Sequence, residues 1–212
     1  MTMRIGGVVL CGGKSSRMGH SKAMLPFGPE LMLQRVVRLL REVVTPIVVV
    51  AAPTQELPEL PGDVLLARDE REGRGPLEGL FAGLSPLVGL ADAAYVTSCD
   101  VPLLDLAFVR HMLAALGDHD IAVPVEEKFQ HPLAAVYRTS VVPHIADLLA
   151  HDQLRPVFLF DRVNTLRVPI EALRQVDPEL RTLANLNRPA DYFAAVELAG
   201  FTVPEDVRSL LT

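Results

Sequence analysis

Residues 7–22 read GVVLCGGKSSRMGHSK, an apolar run that ends in two glycines and is followed by basic side chains. The short apolar run predicts a buried strand. Gly12 and Gly13 allow the backbone after it conformations that other residues avoid, and successive N–H groups in such a turn can converge on an anion. Arg17 can fork onto phosphate oxygens, and Lys22 adds a point charge. On the loop alone, an anion site and a tight turn with solvated cations are equally open.

Two common phosphate-binding loops do not fit this stretch. A P-loop needs glycine, four residues and then Gly-Lys-Ser/Thr, and the first glycine would fall at Val8. The dinucleotide fingerprint Gly-x-Gly-x-x-Gly fails because position 15 is Ser15. What remains is a strand with paired glycines at its carboxyl end, followed by Arg17 and Lys22.

Apolar runs and helical spacing alternate along the chain. The predicted strands are Ile5–Leu10, Ile47–Ala52, Val64–Ala67, Ala93–Thr97, Ile121–Val125, Pro132–Tyr137 and Thr165–Val168. The predicted helices are Leu31–Val44, Leu77–Leu87, Leu106–Leu116, Val141–Leu149, Pro189–Leu198 and a short one within Thr202–Leu211. Continuous strands separated by helices indicate an α/β fold of three layers, with a mainly parallel central sheet and helices on both faces.

The composition suits a single domain over residues 1–212, because 50% of the residues are hydrophobic and only 22% are charged. A net charge of −6 and few aromatic residues argue against nucleic acid as a partner. No apolar run reaches the roughly 20 residues of a membrane span, and the first residues lack signal-peptide features, so we expect a cytoplasmic protein without a membrane partner. The first acidic residue is Glu30, so the basic opening stretch favours an anionic ligand.

Asp100 stands in Cys-Asp-Val-Pro, directly after a predicted strand. Pro102 cannot continue the strand ladder, which leaves Asp100 at the carboxyl end of a central strand, where open parallel sheets bind ligands. A carboxylate at this place can hold Mg²⁺ between phosphates. The alternative is a helix cap, but Asp105 is better placed to cap the helix that begins at Leu106.

The stretch Leu10-Cys11-Gly12-Gly13-x-Ser-x-Arg17-Met18-Gly19-x-x-Lys22 closely resembles the signature loop of nucleotidyltransferases that make activated sugars and cofactors. The close match is to the molybdenum cofactor guanylyltransferases, and it extends from about Ile5 to Phe193 with the motifs in the expected order. The resemblance implies a Rossmann-like nucleotidyltransferase fold. It also implies a nucleotide-binding half over about 1–125, an acceptor-binding half over about 126–200 and a short C-terminal tail.

The resemblance assigns roles to residues of the first half. Arg17, Lys22 and Asp100 are the implied catalytic residues, and Asp100 is also the implied ligand of Mg²⁺. The implied nucleotide-binding residues are Leu10, Cys11, Gly12, Gly13, Lys22, Asp69, Gly75, Gly79 and Asp100. Gly79 and Gly83 lie inside a predicted helix, where each glycine costs roughly 1 kcal/mol against alanine. Close packing on the sheet is the alternative reason for both glycines, and we prefer it for Gly83.

In the second half, the resemblance implies that Arg155, Asn185 and Asn187 bind the acceptor. Both asparagines belong to an Asn-x-Asn-x-Pro pattern before Pro189. Asparagines two apart in a strand point to the same side, so we expect both to reach the site, with a helix cap as the alternative. His131 matches a His-Pro pair of the family, and we give it no catalytic role.

The implied reaction transfers GMP from GTP to the terminal phosphate of molybdopterin and releases pyrophosphate. Gly12-Gly13 favours guanine, since related cytidylyltransferases tend to carry Ala-Gly there. Ala51 stands where the family often has an asparagine that contacts the nucleoside. The implied partners are GTP, molybdopterin and, transiently, other cofactor-biosynthesis proteins or recipient molybdoenzymes. The alternatives are a cytidylyltransferase for molybdopterin or another small phosphorylated acceptor, and a non-catalytic nucleotide-binding protein.

Overall fold

A computed structural model describes residues 3–11, 21–69 and 75–211 of the chain. Its strands are β1 (Ile5–Leu10), β2 (Pro26–Phe27), β3 (Glu30–Leu31), β4 (Ile47–Ala51), β5 (Leu65–Arg68), β6 (Ala93–Ser98), β7 (Ile121–Glu126), β8 (Phe129–Gln130), β9 (Ala135–Arg138) and β10 (Thr165–Pro169). Its α-helices are α1 (Met32–Arg41), α2 (Pro76–Leu84), α3 (Leu106–Ala115), α4 (Val142–Ala150), α5 (Pro156–Phe160), α6 (Ile170–Leu173), α7 (Pro189–Leu198) and α8 (Glu205–Leu211). None of these helices is both long and apolar enough to cross a membrane.

The central sheet has the strand order β10-β7-β9-β6-β1-β4-β5, with β8 added beside β7. Along this path β9 is antiparallel to both of its neighbours, and the other adjacent strands are parallel. The mainly parallel sheet predicted from the sequence is therefore confirmed. Because β9 lies between β6 and β7, the chain after residue 126 completes the same sheet as the chain before it.

The sheet is covered on both faces, as the continuous apolar strands predict. Helices α1, α3 and α6 pack against one face, and α2, α4 and α5 pack against the other. The apolar spacing of α1 buries Val36, Val37 and Leu40 completely or nearly so. The Gln34 side chain accepts a hydrogen bond from the Leu31 backbone N–H at 3.0 Å and so caps the start of α1.

Two glycines explain how α2 lies on the sheet. Gly75 precedes the helix with φ of 81°, a left-handed conformation that favours glycine, and Pro76 occupies the first turn. At Gly83 a Cβ atom would lie 2.3 Å from Cγ1 of Val8 on β1. The packing explanation for Gly83 is therefore confirmed.

A third apolar cluster lies beside the main layers. It joins the β2–β3 hairpin to α7, α8 and the loop before α7 through Phe27, Tyr192, Val196 and Leu186. The Tyr192 hydroxyl also donates a hydrogen bond to the Pro26 carbonyl at 2.5 Å. This cluster fixes the chain on either side of the site described next.

Candidate active site

The site lies where the carboxyl ends of β1, β4 and β6 meet. The ladder continues one residue beyond β1 and β6, because the Cys11 N–H donates to the Val50 carbonyl at 2.7 Å and the Cys99 N–H donates to the Leu10 carbonyl at 3.0 Å. Parallel strands bring their carboxyl ends to one edge, which is where such sheets bind ligands. Asp100 follows Cys99 at this edge and is 9% exposed.

Lys22 and Asp100 form an ion pair, with Nζ at 2.8 Å from Oδ2. Their side chains are only 16% and 12% exposed, so the pair is largely removed from water. The other carboxylate oxygen of Asp100, Oδ1, accepts from the Ser98 hydroxyl at 2.5 Å and from Nδ2 of Asn185 at 3.4 Å. Three hydrogen-bond donors from distant parts of the fold therefore converge on the one carboxylate of Asp100.

The two asparagines of the Asn-x-Asn-x-Pro pattern reach this pair, as expected, but not from a strand. Residues 184–187 form an irregular loop before α7, so the strand expected here is wrong. The Leu186 N–H donates to the Asp100 carbonyl at 3.0 Å, and this contact holds the loop against the site. Asn187 accepts from Lys22 Nζ through Oδ1 at 3.0 Å, while Asn185 contacts Asp100.

The cap of α7 explains why the Asn187 side chain is available to Lys22. Oδ2 of Asp191 accepts from the backbone N–H groups of Asn187 and Arg188 at 3.2 and 2.9 Å. The N-cap residue of α7 is therefore Arg188, and Asp191 in the first turn supplies the oxygen that accepts from its backbone N–H. At α3 the predicted cap is confirmed, since Oδ1 of Asp105 accepts from the Ala107 N–H at 2.7 Å.

The stretch of residues 7–22 is described only at its ends, over residues 7–11 and 21–22. Gly12, Gly13 and Arg17 lie outside the described residues, whereas Leu10 and Cys11 lie at the end of β1. The Cys11 and Cys99 thiols are buried neighbours. Their hydrogen bond and the burial of the site raise the pKa of Cys11 well above its usual value.

Asp69 and Gly79 lie together on the β5 side of this edge. The Asp69 N–H donates to the Ala51 carbonyl at 3.0 Å, which places Asp69 at the carboxyl end of β5. A Cβ atom on Gly79 would lie 3.8 Å from Oδ1 of Asp69 and 3.2 Å from Cδ1 of Leu10. Gly79 thus has a packing reason in addition to the predicted ligand contact. Burial and then the nearby Glu78 carboxylate raise the pKa of Asp69.

Sequence reasoning missed two residues whose side chains contact the backbone just after β4. Gln55 accepts from the Ala52 N–H through Oε1 and donates to the Cys11 carbonyl through Nε2, both at 3.2 Å. Arg68 donates to the carbonyls of Ala52 and Gln55 at 2.7 and 2.8 Å. An amide side chain therefore does stand at this strand end, although Ala51 itself has none. Gln55 is the single amide residue in the proline-rich stretch 53–61, which was the available signal.

A cavity of about 410 Å³ lies on the β9 side of the Lys22–Asp100 pair. Residues that line it include Pro76, Phe129, His131, Leu133, Asn185 and Asn187. The rings of Phe129 and His131 meet edge to face, with centroids 4.8 Å apart. Nε2 of His131 is buried without a hydrogen-bond partner among the described residues, and burial lowers the pKa of His131. The cavity thus offers apolar walls and a few polar groups beside the ion pair.

Arg155 is exposed and precedes α5. The adjacent Leu154 carbonyl oxygen lies 3.7 Å from where a Cβ atom on Gly75 would stand. Arg155 therefore belongs to a loop that packs near the start of α2, and no described contact joins its side chain to the Lys22–Asp100 pair.

The single carboxylate of Asp100 suits a divalent metal ion that is also bound by substrate phosphates. Among the described residues, no group of three or more His, Cys, Asp or Glu side chains could hold a metal ion. Mg²⁺ is typically bound through one or two carboxylates, with waters and substrate phosphates completing the shell. In this structure the positively charged Lys22 ammonium lies beside Oδ2 of Asp100. This oxygen therefore faces a position suited to a cation.

The fold is that of the nucleotidyltransferases. Molybdopterin-guanine dinucleotide biosynthesis protein A from Archaeoglobus fulgidus superposes with a TM-score of 0.74, covering 92% of this chain and 98% of that one at 21% identity. The family described as the MobA-like NTP transferase domain matches residues 7–166. The chain belongs to this family, and the resemblance drawn from the sequence motifs is confirmed.

Two further proteins add detail about relatives. A protein of Mycobacterium avium named probable molybdenum cofactor guanylyltransferase is 34% identical over 201 residues, which cover 92% of this chain and 97% of that protein. A Mycobacterium tuberculosis protein of the same fold, solved in complex with manganese, has a TM-score of 0.61 and 16% identity, with coverage of 92% and 98%.

Proposed function

We propose that this protein transfers GMP from GTP to the terminal phosphate of molybdopterin and releases pyrophosphate, which forms a guanine dinucleotide cofactor. The observation that carries the proposal is the buried Lys22–Asp100 ion pair at the carboxyl edge of the sheet. The name of the Mycobacterium avium relative supports guanine as the base and the molybdenum cofactor as the product.

The chemistry needs charge stabilisation more than proton transfer. A phosphate oxygen of the acceptor attacks the α-phosphorus of GTP, a new P–O bond forms, and the bond to the β-phosphate oxygen breaks. The attacking group is already an anion, so the reaction requires no general base. The difficulty is to bring two polyanions together, which oriented cations and backbone dipoles overcome.

Lys22 can contact a phosphate while it keeps its partners in the fold. Its ammonium has three N–H donors, and Asp100 and Asn187 accept from it at 2.8 and 3.0 Å. A third N–H can thus contact a phosphate oxygen without release of the other two. We assign the triphosphate to Lys22 and Arg17, and the backbone N–H groups of Gly12 and Gly13 to its oxygens.

Asp100 holds the metal in this proposal. Asp100 would hold a divalent ion such as Mg²⁺, which would neutralise phosphate charge and polarise the reacting phosphoryl group. Manganese in a protein of the same fold supports a divalent ion. The Asp100 side chain that would hold this ion is itself held in place, because its backbone and both carboxylate oxygens have partners in the fold.

The two substrates divide between the two sides of Asp100. We assign the nucleotide to the β1–β5 side, where it meets Leu10, Cys11, Asp69, Gly75 and Gly79. We assign the acceptor to the cavity on the β9 side, which ends at the two asparagine side chains beside the ion pair. These asparagines, Asn185 and Asn187, and Arg155 are the residues that we assign to the acceptor.

The test is a transfer assay with the purified protein, molybdopterin, Mg²⁺ and either GTP or CTP. Pyrophosphate release and the dinucleotide product are measured together. We expect transfer with GTP and little with CTP. Faster product formation from CTP would contradict the guanine assignment and favour the cytidylyltransferase alternative.

Replacing Asp100 tests the site itself. We expect Asp100→Asn to reduce the rate of transfer by about 100-fold or more, because it removes the charge that holds the metal, while the thermal unfolding curve stays cooperative. Asp118→Asn is the matched control, since Asp118 is exposed in the turn before β7, at the opposite edge of the sheet. Near-normal turnover by Asp100→Asn would contradict the mechanism.

A further inference from the structure

The two oxygens of the Asp100 carboxylate have different surroundings. Oδ1 accepts from the Ser98 hydroxyl at 2.5 Å and from the Asn185 amide at 3.4 Å, and both donors are uncharged. Oδ2 accepts from the Lys22 ammonium at 2.8 Å. One oxygen is thus held by the protein framework, and the other faces a cation.

Ser98 is the more rigid of the two groups that hold Oδ1. It is the last residue of β6, it is 7% exposed, and its backbone is in register with Leu10 of β1. An ionised carboxylate can only accept, so the Ser98 hydroxyl donates its hydrogen bond to Oδ1. Asn185, in contrast, comes from an irregular loop and makes the longer contact.

We propose that Ser98 is a positioning residue that fixes the rotation of the Asp100 carboxylate, so that Oδ2 alone is presented to the cation. Lys22 fills that position in this structure, and Oδ2 is the oxygen that would also hold a divalent metal ion. The inference rests on the proposed function and deepens it, because it predicts a metal bound through one carboxylate oxygen and phosphates. Without the Ser98 hydroxyl the carboxylate can rotate, and the metal loses its fixed ligand.

The experiment compares Ser98→Ala with the unchanged protein in a titration with Mn²⁺ in the presence of GTP and, in a parallel arm, CTP, monitored by electron paramagnetic resonance. Groups that orient a metal ligand typically change metal affinity about 10- to 100-fold, and we expect a loss in this range for Ser98→Ala. We also expect kcat of GMP transfer to fall while the KM values of both substrates change little. Ser98→Thr keeps the hydroxyl and should restore most of the affinity.

Thr97→Val is the matched control. Thr97 precedes Ser98 in β6 and is fully buried, but its hydroxyl has no hydrogen-bond partner among the described residues. Its replacement should leave Mn²⁺ affinity unchanged. Equal Mn²⁺ affinity for Ser98→Ala and the unchanged protein would overturn the inference, as would Mn²⁺ that does not bind the unchanged protein with either nucleotide. Failure of GMP transfer alone would overturn the proposed function and not this inference, because the titration needs no turnover.

Discussion

Lys22 carries the central charge of the site and is held by contacts from distant parts of the chain. Asp100 is 78 residues away in sequence and Asn187 is 165 residues away, yet both accept from the same ammonium. A buried ion pair repays the cost of desolvation only when the remaining donors and acceptors are satisfied. Ser98, Asn185 and Asn187 supply these hydrogen bonds, so the pair is preorganised before a nucleotide binds.

His131 makes the stability of the protein depend on pH at the cavity beside the ion pair. Burial lowers the pKa of His131, and the nearby Glu126 carboxylate opposes this effect only in part. The folded protein therefore binds the proton less readily than the unfolded chain, whose histidine has a pKa of about 6.5. As the pH falls below about 6.5 the unfolded state takes up the proton first, so the free energy of unfolding decreases.

We predict that His131→Asn removes this contribution. The stability of the unchanged protein relative to His131→Asn should decrease as the pH falls from 8 to 5, because only the unchanged protein carries the buried imidazole. Urea unfolding across this range measures the difference. His144→Asn, at an exposed position on α4, is the control and should follow the unchanged protein. A constant difference between His131→Asn and the unchanged protein would contradict the prediction.

At the scale of elements, the contact of α2 with the sheet depends on a missing side chain. We predict that Gly83→Ala destabilises the protein, because its Cβ would lie 2.3 Å from Val8 and 3.0 Å from Val50. Overpacking costs about 1–3 kcal/mol, which exceeds the gain of at most about 1 kcal/mol from replacing glycine in a helix. Urea unfolding measures the change in the free energy of unfolding.

Gly62→Ala is the control for Gly83→Ala. A Cβ atom on Gly62 would meet nothing within 4 Å, so its effect should stay within about 0.5 kcal/mol. If Gly83→Ala were as stable as Gly62→Ala, then α2 would have room to move away from β1, and the packing explanation for this glycine would be wrong.

The elements with strong apolar patterns could be predicted from the sequence, and the short ones could not. The bounds of β1 and α7 are as predicted, and α1 ends three residues early at Arg41. The β2–β3 hairpin, β8, α5 and α6 were missed, since each has five residues or fewer and gives no periodic signal. The strand expected at Asn185 was wrong because long-range contacts, and not a ladder, shape that loop.

In the candidate site, too, the residues that belong to a sequence pattern could be predicted and the others could not. Lys22 and Asp100 belong to motifs that follow predicted strands, so both could be singled out from the sequence. Ser98 and Gln55 act through hydrogen bonds to groups that are distant or hidden in the strand ends. Spacing gave no reason to single out Ser98, and the signal for Gln55 was only that it is the single amide residue of the stretch 53–61. A resemblance to a family identifies the residues that contact a ligand. It identifies less readily the residues that orient those ligand-binding side chains.

On the scale of the whole molecule, Arg35 of α1 joins the segments that carry the site. Its Nε donates to the Pro102 carbonyl, just after Asp100, at 2.7 Å. Its guanidinium lies 4.9 Å from the ring centre of Phe27 in the hairpin after Lys22, and 5.7 Å from that of Phe201 after α7. The Arg35 side chain therefore connects the turn after Asp100, the β2–β3 hairpin and the segment after α7.

We predict that Arg35→Lys weakens all three connections although it keeps the charge, because lysine lacks the planar group that both stacks and donates from Nε. The free energy of unfolding should fall by about 1.5–3 kcal/mol, the range for a hydrogen bond to a charged group, and the rate of GMP transfer should fall with it. Arg38→Lys is the control on the same helix, because Arg38 is 48% exposed and its pair with Glu30 should contribute at most about 1 kcal/mol. Urea unfolding and the transfer assay compare the two variants. Equal stability and equal activity would mean that the guanidinium of Arg35 does not hold these segments together, and that the apolar cluster around Phe27 and Tyr192 alone positions Lys22 opposite Asp100.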